Sequence, residues 1–162
     1  MSSARRLLLA GGIALAVWGM GYGLWYAVSA EHQALEEIGS SLAAGFGGAA
    51  ARNSALTEKA LQQYQQAKYV YDRQVDVHGH WIGLAMILIV LGIALDRLAF
   101  SERIKMLLSA SALVGSFLFP LGVLLQTADH GNTPRALAIL GSALVIVALA
   151  AFTLGFARKP ST

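Results

Sequence analysis

Four stretches of this chain, residues 7–30, 77–97, 104–127 and 135–157, are apolar and carry no charge in their central parts. Each is close to the ~20 residues a helix needs to cross the hydrocarbon core of a bilayer. Lipid offers no partner to a backbone N–H or C=O, so a segment that enters it must close its hydrogen bonds within itself. Continuous rather than alternating apolarity selects the helix over the strand of a barrel. The mean hydropathy is +0.59 and 13% of residues are charged, against roughly a quarter in soluble domains. The expected fold is an all-α membrane protein, a single domain over 1–162 with four transmembrane helices.

The first run follows Arg5 and Arg6 and ends in the small residues Val28-Ser29-Ala30, a pattern shared with secretory signals. Its apolar stretch is longer than a signal's core, and it is read as an uncleaved anchor. Basic residues set the orientation. Arg5 and Arg6, then Arg97, Arg103 and Lys105, then Arg158 and Lys159 fall on one side in short segments. On the other side Arg52, Lys59, Lys68 and Arg73 are balanced by six acids, and Arg135 stands alone. The positive-inside rule puts both termini in the cytoplasm. The chain is expected to be a multi-pass protein of a bacterial inner membrane, with the long segment in the periplasm. The net charge of +3 reflects these flanking cations; no basic stripe suggests nucleic acid. Without a cysteine, disulfide relays and thiolate metal sites are excluded.

Residues 31–76 form the sizeable part outside the bilayer. From Ser54 the chain runs without Gly or Pro to Gly79, which predicts one helix capped by Asn53 or Ser54. Ala60, Tyr64, Ala67, Tyr71, Gln74 and His78 follow a 4-3-4-3-4 spacing, the form of a packing seam. Val28, Leu35, Ile38 and Leu42 would make the facing seam, with the turn at Gly45-Phe46-Gly47-Gly48. The expectation is an extramembrane antiparallel hairpin extending transmembrane helices 1 and 2. Within the bilayer, Gly19 and Gly23, Gly79 and Gly83, and Gly115, Ser116, Gly122, Gly141 and Ser142 are small enough to let helices approach closely. Trp18, Tyr22, Trp25, Tyr26 and Trp81 suggest an aromatic belt at the outer end.

All four histidines, His32, His78, His80 and His130, fall at the outer boundary. In Asp76-Val77-His78-Gly79-His80-Trp81 the two imidazoles are about 200° apart around a helix, so they serve two different places. His78 lies on the seam toward the first helix. His80 lies in line with Asp76, a carboxylate able to hold its other ring nitrogen as metal-site carboxylates do. His130 follows the third span and Arg135 opens the fourth. The candidate cofactor-binding residues are His78, His80, His130 and Arg135; the candidate metal ligands are His78, His80, His130 and Asp76. Two axial imidazoles with an arginine suit haem b, and imidazoles with a carboxylate suit copper or zinc. An interfacial His can equally bond to water, a headgroup or a helix-end carbonyl, and His32, beside Glu31 and Gln33, is read that way. Midplane acids, phosphate loops and nucleophile elbows are absent, which argues against a proton-coupled transporter and against an enzyme acting alone.

The His78-Gly79-His80 pair resembles the His-X-His helix of haem–copper oxidase catalytic subunits, whose two imidazoles face two different cofactors. The likeness covers this one helix; four spans cannot supply that family's full ligand set. The chain is also broadly similar to small four-helix b-type cytochromes, which place paired ligands deeper. The resemblance implies a membrane subunit holding haem b or copper at the periplasmic face, for electron transfer or cofactor handling in a respiratory-type complex. The alternative is a cofactor-free accessory or assembly subunit that docks membrane-protein partners, or a second copy, through its stalk and small-residue faces. A pH or ligand sensor built on the histidines is a third expectation.

Overall fold

In the computed structural model, which describes residues 1–129 and 131–157, the regular structure is helical throughout. Helix α1 covers Ser3–Ser29, α2 Glu31–Ala50, α3 Ser54–Ala94, α4 Glu102–Leu125 and α5 Asn132–Ala157, with a 3-10 turn at Leu95–Arg97. Helices α1, α3, α4 and α5 are long and apolar enough to cross a membrane. Helices α1, α4 and α5 begin and end within a few residues of the apolar runs, whereas α3 starts at Ser54, far ahead of the run that opens at 77, because helix propensity and end caps extend beyond hydropathy. The chain divides into two compact units, Met1–Gly21 with Val77–Thr162, and Tyr22–Asp76.

In the first unit α1 runs antiparallel to α3. Gly19 lies against Trp81 and Ile82, Gly12 against Ala85 and Ile89, Gly92 against Leu8 and Leu9, and Arg5 is paired to Asp96 at 2.7 Å. Trp81 is fully buried. It takes Trp18 edge-on at 5.8 Å and stacks on Phe117 at 6.4 Å. The expected belt therefore loses this member. Gly19 lets the Trp81 Cβ come close to α1, while Trp18 and Trp25 stay half-exposed. Gly79 and Gly83 have open space where a side chain would go, so their shared face packs on nothing within the unit.

Helices α4 and α5 pack against one another at backbone range. A Cβ on Gly122 would run into the Ala138 backbone, one on Gly141 into Phe119, and one on Gly115 would lie 2.7 Å from the Gly141 carbonyl. In lipid, where apolar surface gains little by leaving its surroundings, such close van der Waals packing is what holds helices together. Helix α4 continues through Pro120. Proline cannot donate to the preceding turn, and beside that gap the Trp81 Nε1–H donates to the Phe117 carbonyl at 3.4 Å. Lys105, expected at a span's edge, has a buried side chain 3.6 Å from Glu102.

The second unit is an antiparallel hairpin. The Tyr22 hydroxyl bonds to Gln74, Tyr26 meets Tyr71 at 6.4 Å, and Gly45 and Gly48 face Ala60 and Thr57. On α3 the seam matches the sequence, with Ala60 and Ala67 buried. On the facing side it does not. Tyr26, Ser41 and Gly48 are the buried positions, and Val28, Leu35 and Leu42 are exposed. On α2 the narrow Ser41 and Gly48 take the buried positions, with Ile38 of the expected seam half-buried, and Gly48 lies against the backbone of Thr57. The turn also moves, from Gly45–Gly48 to Ala51–Asn53. The Arg52 N–H donates to the Ala49 carbonyl and the Asn53 N–H to the Gly48 carbonyl, the two bonds of a Schellman end. Arg52 occupies the left-handed position with φ 53°, where glycine is usual. Asn53 then caps α3, its Oδ1 accepting from the Leu56 N–H at 3.0 Å. At Ala30, between α1 and α2, φ is −128°. The ladder nevertheless persists, with Ala30 N–H donating to Tyr26 and Ala34 N–H to Ala30.

Candidate functional site

The two histidines of α3 diverge as helical geometry requires. His78 is half-buried and turns toward α1, its Nδ1 2.9 Å from the Gly19 carbonyl oxygen. A carbonyl can only accept, so Nδ1 donates to it and Nε2 is left on the far side of the ring from that bond. That is the arrangement in which a second hydrogen bond orients an imidazole for ligation. It is equally a helix–helix bond that needs no ligand. His80 turns toward α4 and meets the Phe119 ring edge-on at 4.9 Å, on an exposed surface.

Asp76 belongs to the other unit, where its carboxylate lies 3.9 Å from Arg73. Arg135 is exposed in the first turn of α5. His130 lies outside the described residues. His32 sits on the first turn of α2, at the opposite end of the hairpin from its Ala51–Asn53 turn. Among the described residues no group of three His, Cys, Asp or Glu side chains is gathered as a metal ion requires. The structure thus brings His78 to Gly19 and His80 to Phe119, and not to each other.

No family model, curated protein or solved structure matches this chain.

Several features carry chemistry that hydropathy does not signal. The Tyr26 hydroxyl is buried with no hydrogen-bond partner among the described residues, in a cluster with Tyr22, Tyr71 and Gln74. Burying an unpaired hydroxyl costs about 1–3 kcal/mol. The exposed side of the hairpin is the larger surprise. Phe46 is 74% exposed, and Leu35, Leu42 and Leu61 are between 40% and 49% exposed. Leu42, Phe46, Ala49, Leu61 and Tyr64 border an open groove of about 250 Å³. The signal is present in the sequence as a seven-residue repeat, Leu35, Leu42, Ala49, but hydropathy alone places that row on the inside of the hairpin.

Proposed function

We propose that this chain is a cofactor-free accessory or assembly subunit of a bacterial inner membrane. Both termini lie in the cytoplasm, and the Tyr22–Asp76 hairpin stands in the periplasm as a docking stalk. One observation carries this reading: amid the charged and Gln-rich surface of the hairpin, Leu35, Leu42, Phe46 and Leu61 are exposed. An apolar strip facing water marks a surface that meets a partner. A mutant with Leu42, Phe46 and Leu61 all changed to Ser is expected to insert normally and to lose its co-purifying partners. Retention of the same partners would overturn the docking role.

The His78–Gly19 bond favours a second reading, in which the outer-face histidines hold haem b or copper, with the Nε2 of His78 as one ligand. Haem or copper would supply the electron transfer, and this chain's contribution would be to orient the imidazole through Gly19. The absorption spectrum and metal content of the purified protein separate the two readings. A Soret band lost in His78→Ala supports the cofactor; a colourless, copper-free protein from haem- and copper-replete cells sinks it.

A further inference from the structure

The apolar flank of the stalk is periodic, and its surroundings are charged in a way that suits one occupant. Leu35, Leu42 and Ala49 recur every seven residues on α2. Seven residues before Lys68 on α3 is Leu61, on the far wall of the same groove. A seven-residue apolar row is the pattern of a seam that meets another helix. A two-helix hairpin is only one layer and needs a second to close a core. We propose that the second layer is the same flank of a second copy of this chain, so that two hairpins close into a four-helix bundle. This rests on the reading above that the hairpin stands in water.

The charges argue for a second copy over an unrelated helix. Helix α2 carries Glu31, Glu36 and Glu37 and no Lys or Arg. Lys68 is half-exposed, one repeat along from Leu61 and so on the groove side of α3. The hairpin register, with Tyr26 against Tyr71 and Gly45 against Ala60, sets Glu31 level with Lys68. Two chains inserted with the same topology hold equal residues at equal depth. A two-fold axis along the membrane normal therefore brings Glu31 of each copy to Lys68 of the other, twice, and Leu35 and Leu42 to the opposite groove. Lys68 already donates to Asp72 of its own helix at 2.8 Å, and an ammonium has further donors to share.

The chain's lack of cysteine makes the test clean. Gly39 lies on the apolar flank between Leu35 and Leu42, and a side chain there meets nothing. Because α2 of each copy faces α3 of the other, the two Gly39 positions lie diagonally across the bundle, and Gly39→Cys in native membranes should be joined by a long-armed bismaleimide into a species of twice the monomer's mass. Ala44→Cys, on the opposite flank of α2, should stay monomeric. Lys68→Glu in the Gly39→Cys background should cut the linked fraction by about threefold, and adding Glu31→Lys should restore it. If the thiol introduced by Gly39→Cys reacts with a membrane-impermeant maleimide but links to no second copy, self-pairing is overturned and the water-exposed stalk stands. If that thiol is inaccessible to the reagent from the outer face and does not link, the stalk reading falls with it.

Discussion

At the scale of single residues, the sharpest consequences lie where a missing or unusual side chain is obligatory. Gly141→Ala and Gly122→Ala place a methyl into the backbone of the facing helix. Each is expected to cost about 1–3 kcal/mol, as overpacking does, read as a lowered melting temperature in detergent. Gly79→Ala, with open space around it, should be neutral or slightly stabilising, since alanine favours the helix. Arg52 holds a left-handed conformation that costs a non-glycine residue roughly 1 kcal/mol. Arg52→Gly should therefore slow amide exchange at the turn. Asn53→Ala should do the opposite, costing about 1 kcal/mol through loss of the cap on the Leu56 N–H, with faster exchange at Leu56 and Thr57 as the readout.

Elements were legible where one physical quantity decided them. Span length and uncharged interior are enough to require helices α1, α3, α4 and α5, while side-chain chemistry offers Asn53 or Ser54 as the cap of α3 and the Leu56 bond decides for Asn53. The α2 face was not legible in the same way. Hydropathy ranks Leu35 and Leu42 above Ser41 and Gly48, whereas close approach of two helices ranks them in reverse, and only the partner helix says which criterion applies. The glycines at 45–48 likewise read as a turn, although in the hairpin Gly48 is an interior contact with Thr57. For the candidate site, the divergence of His78 and His80 followed from 3.6 residues per turn. That His78 would meet a backbone carbonyl did not, because a carbonyl has no sequence signature. The bond between His78 and Gly19 joins α1 to α3. His78→Ala should weaken that pairing by about 0.6 kcal/mol and at most about 1.7 kcal/mol, visible as a modest loss of thermal stability with or without any cofactor. A loss much larger than this would mean His78 holds more than Gly19.

For the whole molecule, the expected topology is open to a direct check. A reporter fused after Thr162 should be active only in the cytoplasm, and one inserted at the Ala51–Asn53 turn only outside. The opposite pattern would reverse every statement about which face the stalk occupies. The closeness of α4 and α5 bears on how the chain is made. Those two helices are adjacent in sequence, so little loop entropy opposes their pairing, and their glycines let them join without help from α1 or α3. They also leave the ribosome after α1 and α3. During synthesis α1 and α3 must therefore wait in the bilayer, held by contacts such as Arg5 to Asp96. The α4–α5 pair is then expected to join them as one unit. A chain truncated before α5 would leave the Gly115–Gly122 face of α4 open to lipid, and quality-control proteases in the membrane should remove it faster than the full-length protein.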